Sequence, residues 1–322
     1  MGFIRGMKKR LVILFFVSSL LVGVIFINFS HETEIPPGVI KEAQPEVNLI
    51  EETEVEVKPS MSLNTSKPRQ ADLVVIKVES VIQPRALFGG KAISFFAVSP
   101  DNWLGFLGID AKASPGSSTL LVDLGEGEGF NEEVVVVKQS WPVTELALNE
   151  ELEAQGYTPQ NIATGIQENE NVVVREAVSS YRSEPYFKEK FMDPVPGRVI
   201  VGTFGNIRES GGAGIQHLGT DLDAKKGDPV FSINDGRVVL VKEDFLNYGK
   251  TVVIDHGLGI FSLYLHLSEI KVTSRQNLKK GEVIGLVGNT GYSLEPHLHF
   301  SVKVQGASVD PLGFIDAVNA SL

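Results

Sequence analysis

Beyond residue 70 the chain is patterned mostly in short apolar runs, and strands are the elements such a pattern predicts. Leu73 to Val78, Ala92 to Val98, Phe106 to Ile109, Thr119 to Leu124 and Val134 to Val137 are runs of this kind. Turn signals recur between them about every 8–12 residues, the spacing of a small β-sandwich. Gly125-Glu126-Gly127-Glu128-Gly129 lies between two such runs. It lacks the third glycine of a nucleotide loop at the right offset and reads as a hairpin turn. From about 195 to 315 strands return: Arg198 to Val201, Val230 to Ile233, Arg237 to Val241, Thr251 to Ile254, Phe261 to Leu265, Val283 to Val287 and Leu298 to Val304. Turn clusters such as Asn234-Asp235-Gly236 and Asn247-Tyr248-Gly249 separate them, which predicts an antiparallel sheet domain of modest size. Between the two series the period of two is lost. Leu146, Leu148 and Leu152 have mixed helical spacing, so a helical connector is expected, with Pro185, Pro194, Pro196 and Gly197 marking an irregular entry into the last domain.

Leu11 to Phe29 carries no charge and follows Lys8, Lys9 and Arg10. A bilayer core needs about 20 apolar helical residues, so this stretch can just span it, with the basic cluster on the cytoplasmic side. A cleaved signal peptide is the competing reading, but its apolar core is about 7–15 residues and ends at a small-residue site. The expectation is therefore a single-pass anchor in a bacterial inner (cytoplasmic) membrane, with the body in the periplasm or outside the membrane; the alternative is secretion after cleavage. The prolines and glutamates that follow predict a disordered tether. The expected chain is mainly β: membrane anchor or signal segment 1–30, tether 31–70, β-sandwich-like domain 71–142, connector 143–194 and sheet domain 195–322.

Composition narrows the chemistry. The net charge of −11 disfavours a nucleic-acid partner. There is no cysteine, which excludes disulfide scaffolds, thiolate zinc sites, iron–sulfur clusters and thiol nucleophiles. A bound transition metal must then be held by His and carboxylates.

Five of the six histidines lie between 217 and 299. In His297-Leu298-His299 strand alternation puts both imidazoles on one face, which packing alone does not explain. His217 and Asp221 are four apart, again one face if extended, and Gly219 between them lets the backbone bend. His266 alternates in the same way within Tyr264-Leu265-His266-Leu267. Two His and one carboxylate with an open fourth position are a familiar catalytic zinc arrangement. His256 reads as a hydrogen-bonded structural residue and His31 as inert; Asp223 and Asp235 have the chemistry of ligands, but each also has a turn or surface reading. There is no His-Glu-x-x-His helix, no Gly-x-Ser-x-Gly elbow and no Walker loop.

At these residues the chain resembles the lysostaphin/LytM-type zinc metallopeptidases of the M23 family. The resemblance rests on His217-Leu-Gly-Thr-Asp221 and Pro296-His297-Leu298-His299-Phe300. Between them lie Asp235-Gly236-Arg237-Val238-Val239, Gly249 to Gly257, Tyr264-Leu-His266-Leu267 and Gly281 to Gly291. It implies zinc ligated by His217, Asp221 and His299, with His266 and His297 flanking the attacking water as catalytic residues. It implies an endopeptidase acting on peptidoglycan stem peptides or cross-bridges. Ser301 departs from the Glu that many members carry there, and alternation is expected to turn that position away from the site. Which of His266 and His297 is the base stays open. The rival expectation is a non-enzymatic wall-binding or amidase-activating module, against which the intact ligand set counts. Latency relieved by movement of the upstream domain is a third reading, and a regulatory partner is left unknown.

Overall fold

The computed structural model describes residues 58–322. The expected anchor, 1–30, and most of the expected tether, 31–70, lie outside the described residues. Among the described residues no helix is long and apolar enough to cross a membrane. Within the last part of the expected tether, Ser60–Leu63 is a strand paired antiparallel with Leu73–Glu79. Asn64 fixes it: its amide donates to the Leu73 carbonyl, and its Oδ1 accepts from the Val75 N–H. A polar clamp of this kind leaves no trace in apolar periodicity.

Two four-stranded antiparallel sheets follow. One runs Ser60–Leu63, Leu73–Glu79, Asn102–Gly108, Phe95–Ser99; the other runs Lys91–Ile93, Arg85–Phe88, Gly116–Gly125, Glu128–Val136. Ile76, Phe95, Leu107, Leu120 and Val134 fill the space between them. The run 92–98, expected as one strand, is two, because the chain changes sheet at Ser94. The glycine-rich segment is a hairpin turn: Glu126 and Gly127 both have positive φ (51° and 86°), as a tight two-residue turn requires.

Leu73–Glu79 serves two cores. Val74, Ile76 and Val78 face the sandwich interior, while Leu73 and Val75, with Leu104 and Phe106 from the next strand, belong to a second core that also holds Tyr264, Phe300 and Phe314. A strand buried on both faces is written as an unbroken apolar run, here Leu-Val-Val-Ile. Backbone bonds reinforce the junction: Asp310 N–H donates to the Ala71 carbonyl, and Ser308 N–H to the Asp110 carboxylate.

The second core lies on one face of an antiparallel sheet ordered Ile200–Gly202, Thr220–Asp223, His297–Val304, Ile260–Leu267, Gly249–Gly257, Gly236–Phe245, Asn277–Leu278, with Ala307–Val309 beside His297–Val304. The opposite face carries Phe261, Leu263 and Leu265. The connector closes over that face. Its Val143–Glu145 pairs in parallel with Ile207–Ser210, and four short helical pieces follow: Glu150–Ala154, Pro159–Thr164, a π-helical turn Gly165–Glu170, and Asn171–Ala177. Thr158 and Asn161 form a reciprocal capping box, with Pro159 in the first turn. Ile162, Ile166, Glu170, Val174 and Val178 recur every fourth residue along the inward side, and the wider π turn keeps that spacing in line.

Candidate metal centre

Register builds the centre. Asp221 pairs with His299 across neighbouring strands, so both side chains share a face. His217 lies just beyond Ala213–Gln216, and the chain bends at Gly219 to bring it back towards Asp221. Gly219 is needed for room: a Cβ there would stand 2.3 Å from His299 Nε2 and 2.4 Å from Ser301 Oγ. At Gly202 a Cβ would stand 2.2 Å from Asp221 Oδ2.

Three ligand-type atoms converge. His217 Nε2 is 2.9 Å from Asp221 Oδ1 and 3.0 Å from His299 Nδ1, and His299 Nδ1 is 2.9 Å from Asp221 Oδ1. His217 Nδ1 donates to the Thr203 carbonyl at 2.8 Å, which commits that nitrogen and leaves the Nε2 lone pair facing the cluster when the ring is neutral. His299 is turned the other way, with Nε2 against Ser301 Oγ at 2.9 Å and Nδ1 inward. Two imidazole nitrogens and a carboxylate oxygen this close are electron-rich atoms facing one another. A divalent cation of zinc type fits that donor set, and the outer hydrogen bonds are those that orient metal-bound histidines.

His266 reaches the same centre by a different device. Leu265 is the residue paired with His299, so plain alternation would send His266 to the opposite face. The ladder with Gly249–Gly257 carries a bulge: between Lys250↔Leu267 and Val252↔Tyr264, Leu265 and His266 together oppose Thr251. His266 takes φ +61°, a conformation costly for a non-glycine residue and concentrated at functional sites. The ring then lies 5.0 Å from that of His297 and 5.9 Å from that of His299, centroid to centroid. Its Nδ1 donates to the Thr290 carbonyl, leaving Nε2 available. His297 is held likewise by the Glu295 carbonyl, and its Nε2 is 3.5 Å from Asp221 Oδ1.

The environments push the pKa values of His266, His297 and His299 in different directions. Burial, helped by the neighbouring His297 and His299, holds His266 well below the ordinary imidazole range. Burial likewise pushes His299 down to about 4, so its ring is neutral. At His297 burial acts in the same direction, but the Asp221 carboxylate outweighs it and raises the pKa. Burial opposes ionisation of Asp221, yet bonds from His217, His297 and His299 hold it well below the carboxylate range.

Three participants were not apparent in the sequence. Arg208 donates to Asp221 Oδ2 at 3.0 Å from a hairpin, Ile207–Ser210 with Ala213–Gln216, whose half-exposed residues carry no clear alternation. Ser301 does not face away as expected: two residues beyond His299 it shares that face, and its hydroxyl orients the His299 ring. Glu170, on the connector, accepts from the Asn247 and Tyr248 N–H groups of the loop whose Tyr248 carbonyl supports His266. Of the residues set aside, His256 and Asp235 stay outside the cluster, and His31 lies outside the described residues. His256 is spent on the Asp235 carbonyl and Ser262 Oγ, while Asp235 accepts from Lys279 and Lys280.

Residues 215–311 match the model of peptidase family M23. Over 96 residues, 30% of this chain and 22% of the relative, the sequence is 42% identical to the peptidoglycan DD-endopeptidase ShyA of Vibrio cholerae. Over 122 residues, 38% of this chain and 30% of the relative, it is 35% identical to the murein hydrolase activator NlpD of Escherichia coli. The chain thus spans less than a third of either relative's length. A candidate M23 peptidase from Pseudomonas aeruginosa is similar in structure, with TM-score 0.55 and 26% identity over 79% of this chain and 96% of that one.

Proposed function

From a chain that carries a peptidase family M23 domain at residues 215–311, we propose a zinc-dependent endopeptidase that cuts peptide bonds of peptidoglycan, in the stem peptide or the cross-bridge. The observation that carries this reading is the convergence of His217, Asp221 and His299 within 3.0 Å of one another. Zinc held there supplies a Lewis acid that polarises the scissile carbonyl and lowers the pKa of the attacking water towards about 7. His266, kept neutral by burial, accepts the proton of that water at Nε2. His297, whose pKa Asp221 raises, is the group assigned to stabilise the developing oxyanion and donate to the departing amine. Arg208 engages Asp221 Oδ2, which leaves Oδ1 to face the two ligand histidines. The net charge of −11 gives no general attraction to an anionic wall, so recognition is local to the cleft. Residues 1–30 hold the body at the outer face of the cytoplasmic membrane; recovery of the intact chain in the membrane fraction tests that placement.

Digestion of purified peptidoglycan by the whole chain, with and without a chelator, tests the activity. Chelator-sensitive release of peptides with newly freed termini, read by mass spectrometry, is expected. The second reading, a non-enzymatic amidase activator, is favoured by the NlpD relative and by the connector walling the centre. It predicts no hydrolysis by the chain alone and stimulation of an added amidase.

A further inference from the structure

The cavity beside the centre is about 100 Å³ and is lined by His217, His266 and His299 on one side and by Ile166, Gln167, Asn171 and Val174 of the connector on the other. Cavities that take small ligands are roughly 300–1,000 Å³, and a peptide needs an open cleft. Val174 and Val178 lie on Phe261, Leu263 and Leu265, the apolar face beside the catalytic strand. Leu152, Tyr157 and Ile162 pack with Tyr292, from the loop before His297. The connector therefore covers the sheet face that a peptide would have to lie on to reach the histidines.

One group in this contact is out of place chemically. The inward stripe of the connector is apolar except at Glu170, which is 4% exposed. Its two carboxylate oxygens accept the Asn247 and Tyr248 backbone N–H groups at 2.7 and 3.0 Å, and Tyr248 Oη donates to Asn171 Oδ1 at 2.8 Å. The Tyr248 carbonyl in turn accepts from the His266 N–H, so the loop that Glu170 grips also supports the strained residue at the centre. The Asn247 side-chain amide is buried beside the same carboxylate and against Gly165. The closed arrangement is thus held by a specific polar grip.

We infer that residues 143–178 form a lid over the M23 centre, latched by the Glu170 carboxylate on the Asn247–Tyr248 loop, and that the lid swings away as a unit to admit a peptide. This rests on the peptidase reading for its purpose, but its test does not. The mobile part is the connector; the strand-rich upstream domain is tied into the peptidase core and stays in place.

The test uses the whole chain loaded with zinc, comparing the unaltered protein with Glu170→Ala, Val174→Asp and the exposed-site control Glu168→Ala. In the first two, zinc loss to excess EDTA accelerates at least tenfold and peptidoglycan hydrolysis rises several-fold; the control matches the unaltered protein. Unchanged zinc release in folded Glu170→Ala and Val174→Asp overturns the lid. Should those variants fail to fold, native-state hydrogen exchange on the unaltered chain decides. Amides of 165–178 and of Asn247 and Tyr248 are expected to exchange together, well ahead of those in Ile260–Leu267 and His297–Val304. Exchange of both groups in one step overturns the proposal. Faster zinc release without hydrolysis by any variant upholds the lid and removes the peptidoglycan reading instead.

Discussion

The sandwich and the sheet that carries the metal centre are both antiparallel and both well packed, yet they treat polar side chains differently. Of sixteen buried polar or charged residues among those described, fourteen lie at His217 or beyond; the sandwich contributes Ser80 and the connector Glu170. Burying a polar group is unfavourable unless its bonds are made inside, so a fold has little reason to accumulate them for stability. In the sandwich, alternation is obeyed and the interior is apolar: Ile76 and Val78 point in, Lys77 and Glu79 point out. In the last domain, His299 and Ser301 on one strand, with His266 on the next, form a polar file beside the apolar Leu263 and Leu265. One region is arranged for cohesion, the other for chemistry at some cost to cohesion.

The largest expected effect comes from removing a ligand. His217→Ala abolishes zinc content and lowers hydrolysis by far more than the ~100-fold typical of an outer-shell change; elemental analysis and a wall-digestion assay check it. His266→Ala keeps zinc and lowers turnover by about 10²–10⁴-fold, the range for a lost proton acceptor. Zinc loss in that variant would reassign His266 as a ligand. On the sandwich side, Leu120→Ala, in the middle of an apolar core, lowers unfolding free energy by about 3 kcal/mol while leaving zinc affinity unchanged. His256 gives a comparable effect through pH. Burial pushes its pKa down to about 4, so the folded ring stays neutral where the unfolded one, near 6.5, takes up a proton. The stability it secures is complete above about pH 6.5 and is lost as pH falls towards 4, by about 3 kcal/mol in all. Denaturant titrations at several pH values on the unaltered chain and on His256→Asn, which should show a flatter profile there, measure it. The smallest effect is that of Gly219→Ala, which must push His299 or Ser301 aside and weakens zinc binding by about tenfold.

How far the sequence could be read follows from the same contrast. Most of the sandwich strands and the Gly125–Glu128 turn follow from period-two alternation and turn chemistry, which are local; alternation also puts His297 and His299 on one face, but their meeting with His217 and Asp221 is what the resemblance implies, not what local spacing contains. His266 converges for a reason that alternation does not contain, the bulge opposite Thr251. Ser301 shares the face of His299 because the two are an even number of residues apart on one strand, the alternation that the expectation of an outward Ser301 runs against. Arg208 and Glu170 escaped because each acts through a partner far along the chain: Asp221 across a hairpin, and the Asn247–Tyr248 loop 77 residues away. The connector's four-residue spacing was there to be seen at Ile162, Ile166, Val174 and Val178, interrupted only by a carboxylate.

The strand Leu73–Glu79 has a consequence for how the molecule comes apart. Because one ribbon of backbone supplies side chains to two interiors, neither interior can melt without dissolving a wall of the other. Calorimetry should accordingly record a single cooperative endotherm for residues 58–322, and a fragment cut at 190 should expose Phe300 and Phe314 and aggregate, however complete its catalytic side chains.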